Sequence, residues 1–176
     1  MHHKVVYIFP TELEAEPFRR LCPTAEIIIS GVGMAATSAA IASLYATYER
    51  LCDVRLVLAG LAGSYGDSCA LGEVVEVRSE VCSELPERFR REYHNRCSTT
   101  LRSVSSATVH CGGEGCGAEI ENMEGAAMFA LAEALELEVT EIRAISNRVG
   151  ESFAKWRIEE ALNALAEVLV KIEKEL

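Results

Sequence analysis

Short apolar runs alternate with amphipathic or small-residue stretches along most of the chain. Val5-Val6-Tyr7-Ile8-Phe9 is a continuous apolar run with β-branched content, stopped by Pro10, and predicts a strand buried on both faces. Thr11 to Leu21 reads as a loop or short helix, broken by Pro17 and Pro23. Glu26-Ile27-Ile28-Ile29 predicts a second strand, ending at Ser30-Gly31-Val32-Gly33. Met34 to Leu51 is rich in Ala and Leu and free of Gly and Pro, so it predicts a helix whose small residues suit close packing on a sheet. Arg55-Leu56-Val57-Leu58-Ala59 predicts a third strand, ending in Gly60-Leu61-Ala62-Gly63-Ser64. Glu73 to Val77 predicts a fourth, reached through a turn at Leu71-Gly72.

Residues 78–103 are polar and weakly patterned, with a short helix around Pro86–Tyr93. Ala107-Thr108-Val109 predicts a strand before a glycine-dense bend from Gly112 to Gly117. Asn122 is placed to cap a helix from Met123 to about Leu135. Val139 to Ile145 predicts another strand. Ser152 can cap a last helix whose apolar stripe, Ile158, Leu162, Leu165, Leu169, Ile172 and Leu176, recurs every three to four residues. No repeat or linker interrupts the pattern. The expectation is one domain, 1–176, of α/β class: a three-layer αβα fold around a mixed, mostly parallel central sheet.

Composition narrows the partners. With 49% hydrophobic and 25% charged residues, the 176-residue chain is globular and long enough to bury roughly 70% of its unfolded surface. The formal net charge of −10 disfavours nucleic acid and anionic membrane. The cluster Arg88, Arg90, Arg91 and Arg96 is interleaved with Glu84, Glu87 and Glu92, as in a solvated, self-compensated segment. No apolar run approaches the ~20 residues of a membrane span, and the N-terminus lacks a signal-peptide core, so a cytoplasmic location is expected. Seven scattered cysteines then predict reduced thiols. Cys111 and Cys116 are the one close pair. With His110 alone beside them they do not complete a zinc site, and no metal is expected.

In α/β sheets ligands bind where strands end. Three features at that edge carry candidate chemistry. Glu124 opens an apolar helix, where the dipole favours a carboxylate; it can hold a sugar hydroxyl and stabilise positive charge on a ribose, or simply help the helix start. Glu12, Glu14 and Glu16 recur at spacing two, and one of them can activate a water as general base; the alternative is a solvated acidic loop. Asn147 follows a strand in Arg143-Ala144-Ile145-Ser146-Asn147. Its amide both donates and accepts, which suits a purine edge bearing a ring nitrogen and a 6-keto oxygen; the alternative is an Asx turn.

Three segments in order resemble the purine nucleoside phosphorylase/nucleosidase superfamily: Ser30-Gly31-Val32-Gly33-Met34, Gly60-Leu61-Ala62-Gly63, and Glu121-Asn122-Met123-Glu124-Gly125-Ala126-Ala127 followed by Arg143-Ala144-Ile145-Ser146-Asn147. The pattern is most similar to the futalosine hydrolase branch and covers residues 4–77 and 105–170. Methylthioadenosine/S-adenosylhomocysteine nucleosidases are similar but usually carry Asp where this chain has Asn147. The resemblance implies that Glu14 activates the attacking water, Met123 packs against the ribose, Glu124 holds the ribose hydroxyls, and Asn147 meets the base. It also implies backbone contacts near the base at Ala62 and Gly63, a substrate-side position for Gly33, and a positioning role for Ser146 and Arg143 toward Asn147. Asn in place of Asp favours a 6-oxopurine over a 6-aminopurine. Hydrolysis is favoured over phosphorolysis, because Leu56-Val57-Leu58-Ala59-Gly60 lacks the arginine that phosphorylases place before this glycine loop. The family implies a small-molecule purine nucleoside as partner, no cofactor, and a homodimer or higher homo-oligomer.

The chain departs from the family at 78–103 and at 110–118, both shorter than usual, so the aromatic wall over the base is missing. Trp156 or Phe153 can substitute, as can a partner subunit. Three readings follow: a nucleosidase for a 6-oxopurine nucleoside, a purine-binding homologue with weak or no activity, and, more remotely, a redox or metal switch at Cys111 and Cys116.

Overall fold

A computed structural model describes residues 4–48, 54–112 and 116–175. In chain order the elements are β1 (Lys4–Phe9), α1 (Glu12–Leu21), β2 (Glu26–Ile29), α2 (Met34–Thr47), β3 (Val54–Ser64), β4 (Val74–Cys82), β5 (Glu92–His94), β6 (Ser103–Thr108), β7 (Ile120–Asn122), α3 (Gly125–Leu135), β8 (Glu138–Arg148) and α4 (Ile158–Glu175). The eight strands form one sheet in the order β2-β1-β3-β7-β6-β4-β5, with β8 pairing both β3 and β4. Pairings β1–β2, β1–β3, β3–β8, β4–β6 and β6–β7 are parallel. Pairings β3–β7, β4–β5 and β4–β8 are antiparallel. The sheet is therefore mixed and mostly parallel, as expected.

Alternation along the strands builds two cores. Val6, Ile8, Leu56 and Leu58 face Ile41 and Leu44 of α2 and Met128, Phe129 and Ala132 of α3. Their neighbours Tyr7, Phe9, Val57 and Ala59 face Phe18 of α1 and Leu162, Leu165 and Leu169 of α4. Both faces are covered, which is why the central strands read as unbroken apolar runs.

Several elements differ from the sequence expectation. Thr11 to Leu21 takes the short-helix alternative and not the loop, but Pro17 does not break it: α1 runs through that residue. The proline removes one interior N–H bond, but Thr11 caps the helix and Phe18 buries its ring 4.6 Å from Tyr7, which outweighs that loss. The Thr11 hydroxyl accepts from the Glu14 N–H (3.2 Å) and donates to Glu14 Oε2 (2.7 Å). Thr11→Ala should cost about 1 kcal/mol in urea denaturation, the usual size of a lost N-cap, and should weaken activity because Glu14 loses its tether.

The stretch Gly60–Ser64 is not a loop at the end of the third strand but the continuation of β3. Strands β4 and β8 are also longer than expected, and α3 starts at Gly125 rather than Met123, with Ile120–Asn122 forming β7. Helix α2 ends at Thr47, with Tyr48 as its cap; Leu51 of the expected helix, like Leu176 of the α4 stripe, lies outside the described residues. Around Pro86–Tyr93 there is one 3₁₀ turn, Glu87–Phe89, followed by the edge strand β5. Ser152 precedes a second such turn, Phe153–Lys155, rather than α4 itself, and makes no side-chain cap bond there. The polar middle is anchored by buried Glu76, whose carboxylate accepts from the backbone N–H groups of Ser98 (2.8 Å) and Thr99 (2.9 Å). Of the arginine cluster, Arg91 pairs with Glu133 on α3 rather than with its interleaved acids. Among the described residues no helix is long and apolar enough to cross a membrane.

Candidate active site

A cavity of about 310 Å³ opens where β1 ends and along the C-terminal halves of β3 and β8. Of the residues expected at the site, Glu14, Ala62, Gly63, Met123, Glu124, Ser146, Asn147 and Trp156 line it. Gly33 does not. It stands behind Glu124, and its N–H donates to Glu124 Oε1 at 2.9 Å. The backbone at Gly33 has φ +93°, a conformation that suits glycine, and it opens α2.

Glu14 enters from the first turn of α1. Its Oε1 accepts from the Leu61 N–H at 3.0 Å, and its Oε2 is held by Thr11. Glu12 and Glu16 have the solvated role: both pair with Arg19 on the exposed face of α1. The close approach of Glu14 to β3 depends on Gly60. A Cβ there would stand 3.0 Å from Glu14 Oε1 and 2.7 Å from Arg143 Nη1. A carboxylate and a guanidinium thus converge over one glycine next to the cavity-lining Leu61.

Glu124 is almost wholly buried at the residue preceding α3. Asn122 caps that helix from two positions back: its Oδ1 accepts from the N–H groups of Glu124 (2.8 Å) and Gly125 (2.7 Å). The Glu124 Oε2 accepts from Arg143 Nη2 at 3.2 Å. Arg143 also donates through Nε to Glu141 (2.8 Å), and through Nη2 to Asn122 Oδ1 (3.0 Å). Burial opposes the charge on this guanidinium, but Glu141 and Glu124 outweigh it and raise its pKa. Its contacts are thus with the Glu124 carboxylate and the helix cap, not with Asn147 as the resemblance implied.

Asn147 is set by an irregularity in the β3–β8 ladder. Ala62 pairs with Ile145 and Gly63 with Asn147, so Ser146 is an extra residue bulged out of β8. Bulges re-aim side chains beside functional sites. Here the Ser146 hydroxyl donates to Asn147 Oδ1 (2.8 Å) and Asn147 Nδ2 donates to the Arg148 carbonyl (3.1 Å), which orients the amide. Nδ2 carries a second N–H. A Cβ on Gly63 would stand 3.1 Å from Nδ2 and 3.4 Å from Glu121 Cγ, so Glu121 shares this end of the cavity. Glu121 accepts from the Tyr65 hydroxyl at 2.7 Å, and burial together with that carboxylate raises the tyrosine's pKa. Sequence reasoning did not single out Glu121. The available signal was its position two residues before Met123 on a strand whose alternate residues, Ile120 and Asn122, point inward.

At the rim, Trp156 packs at a tilt against Phe153, with ring centroids 5.2 Å apart and planes at 47°. Neither aromatic belongs to a core, and Phe153 is 71% exposed. Cys111 and Gly112 line the mouth, and residues 113–115 of the glycine-dense bend lie outside the described residues. Cys22, Cys69, Cys82, Cys97 and Cys111 are free thiols; Cys52 lies outside the described residues. No group of three or more His, Cys, Asp or Glu side chains among the described residues could hold a metal ion.

No family model matches the chain. The futalosine hydrolase of Thermus thermophilus is 31% identical over 210 residues, covering 93% of this chain and 92% of the relative. The chain belongs to the futalosine hydrolase family. It is a hydrolase of the nucleosidase class, acting on the N-glycosidic bond of purine nucleosides. The aligned length exceeds the 176 residues of the chain, so this family member lacks segments that the Thermus relative has. A futalosine hydrolase mutant from Helicobacter pylori superposes with a TM-score of 0.85 at 13% identity, covering 99% of this chain and 100% of that one. The methylthioadenosine/S-adenosylhomocysteine nucleosidase of the same organism, solved with butyl-thio-DADMe-Immucillin-A, gives 0.84 at 14% identity with complete coverage of both. The apo methylthioadenosine nucleosidase of Arabidopsis thaliana gives 0.79 at 16%, covering 97% and 94%. These likenesses show that the futalosine hydrolase family chain has the nucleosidase fold.

Proposed function

We propose that the chain hydrolyses a 6-oxopurine nucleoside, with futalosine the favoured substrate and hypoxanthine the released base. The observation that carries this reading is that Glu14, Glu124 and Asn147, drawn from three distant parts of the chain, line one cavity. The family relative from Thermus bears the name of that reaction.

The chemistry follows from the polarity of the site. Breaking the C1′–N9 bond leaves positive charge on the ribose and sends the electron pair into the purine. The Glu124 carboxylate, fixed by Gly33 and Arg143, sits where it can hold ribose hydroxyls and stabilise the oxocarbenium-like transition state. Glu14 takes a proton from water as its oxygen bonds to C1′. The Asn147 amide donates to the purine at N7 or O6 as negative charge develops there. Glu121 supports the oxo preference: a carboxylate only accepts, so it suits the N1–H of a 6-oxopurine and opposes the N1 lone pair of adenine. Trp156 supplies an aromatic surface at the mouth.

The test is a panel of futalosine, inosine, adenosine and methylthioadenosine, with free base measured by chromatography. Hypoxanthine should appear fastest from futalosine; rates equal to a no-enzyme blank across the panel would sink the proposal. A binding-only homologue would instead show thermal stabilisation without turnover, about 2.7 kcal/mol at a 100-fold excess over Kd. Asn147→Asp should shift the ratio of 6-amino to 6-oxo turnover upward by on the order of 10-fold, because a protonatable carboxyl serves N7 and a 6-amino group better than an amide does. An unchanged ratio would remove Asn147 from base recognition.

A further inference from the structure

Behind Glu124 lie two more carboxyl groups that the mechanism above does not use. Glu80 on β4 and Glu141 on β8 are both wholly buried. They meet beneath the first residue of α3: the point where a Cβ on Gly125 would stand is 2.2 Å from Glu80 Oε1 and 2.6 Å from Glu141 Oε2. Position 125 is therefore closed to any side chain. Glu141 Oε1 accepts from Arg143 Nε at 2.8 Å, but Glu141 Oε2 meets no N–H or O–H donor of the protein. The Glu80 carboxyl accepts from Asn122 Nδ2 on β7 and from the Thr108 hydroxyl on β6 (2.6 Å). Asn122 Nδ2 also donates to Ser106 Oγ at 2.8 Å. The charged groups facing the pair are Arg143 of β8 and Glu124 at the head of α3.

An acceptor buried without a donor is costly, and so are two adjoining buried carboxylates. One proton removes both costs. We propose that Glu80 and Glu141 share a single proton and act as a positioning pair for Glu124. Glu80 donates that proton to Glu141 Oε2, and Glu141 remains a carboxylate for Arg143. The four buried groups are then one neutral acid, two carboxylates and one guanidinium, with one net negative charge: Glu141 neutralises Arg143, and the remaining charge belongs to Glu124, beside the cavity. A second proton would hand Arg143 wholly to Glu124 and weaken its pull on a cationic ribose; removing the first would place an extra charge behind the helix cap. Burial first, and the neighbouring Glu141 second, raise the pKa of Glu80 well above the carboxylate range. Burial also raises Glu141, while Arg143 pulls it back. The role of the pair rests on the reading of Glu124 given above, but the shared proton does not.

The experiment has two parts. Infrared difference spectra of the wild-type protein at neutral pH should contain the C=O stretch of a protonated carboxylic acid, which Glu80→Gln should remove. In parallel, Glu80→Gln should gain thermal stability relative to wild type as pH rises. A group whose folded pKa is raised contributes its full stability below about 4.3, the unfolded value, and loses it as pH climbs toward the folded value. Gln cannot ionise, so the Tm difference between variant and wild type should widen from pH 5 upward. No protonated-acid band in the wild type, or a Tm difference flat with pH, overturns the shared proton. For the positioning role, Glu141→Gln should lower kcat by on the order of 10- to 100-fold with KM within a few fold, and Glu80→Gln should recover most of the kcat lost in Glu80→Ala. Wild-type kcat in Glu141→Gln, or no recovery in Glu80→Gln, overturns that role. Should Glu124→Ala retain full activity, the functional reading fails, while the infrared and pH results still judge the proton.

Discussion

Glu124→Gln should lower kcat on futalosine by about 100- to 1,000-fold while KM changes only a few fold. The carboxylate matters most when the ribose is cationic, so its loss falls on the transition state rather than on the bound substrate. The size is that of removing one preorganised electrostatic group from a water-poor site, about 2.7–4 kcal/mol. Glutamine preserves the shape: its oxygen can still accept from the Gly33 N–H that now meets Glu124 Oε1. The fold should therefore survive, and steady-state kinetics beside a thermal melt separate the two effects. An unaltered kcat would remove the carboxylate from catalysis and with it the proposed chemistry. Glu14→Gln belongs to the same test but reports on the water instead.

Arg143→Met should destabilise the protein by about 3–5 kcal/mol, the cost of leaving buried partners without their counter-charge, and abolish most activity as well. Arg143 is fully buried and spans Glu141 on one side and Glu124 on the other. Methionine fills similar volume, so the loss reflects charge and hydrogen bonding rather than a cavity. For a chain of 176 residues this corresponds to a Tm drop on the order of 10 °C. Urea denaturation checks it, with the exposed Arg20–Glu16 pair as a contrast in which truncation should matter little. A shift at Arg143 as small as at Arg20 would show that the buried acids are neutral and need no cation.

The central strands were legible because burial on both faces leaves no polar positions: Val6 and Ile8 go to one core, Tyr7 and Phe9 to the other. The cavity residues were legible because strand ends and helix starts bring Glu14, Glu124 and Asn147 to one edge. Gly60 and Gly63 were placed in a glycine loop at the end of the third strand. They lie within β3, and their lack of a side chain makes room for Glu14 and Arg143 over one and Asn147 over the other. Pro17 was read as a breaker because local propensity cannot weigh a buried Phe18 against one lost hydrogen bond. The start of α3 was misplaced because Asn122 caps from two residues away. Arg143 was expected to position Asn147, and Glu141 was not singled out. They pair with each other at spacing two on β8, but their other partners, Glu80, Asn122 and Glu124, come from β4, β7 and the head of α3, and nothing within β8 reveals those. The segment 78–103 carried little pattern because β5 is a short edge strand with exposed neighbours.

The pairing of β3 with β8 joins Arg55 to Glu138 and Ser64 to Arg148 across the long intervening chain. The bonds that hold the two acids span comparable gaps, from Leu61 to Glu14 and from Gly33 to Glu124. Local helices and hairpins can form early without creating any of these contacts, whose loop-closure cost is met only when remote strands dock. Catalytic competence is thus a property of the finished topology. A proteolytic fragment that ended before β8 would retain helical signal yet lack Arg143 and Asn147 together, and so could neither grip the sugar nor address the base.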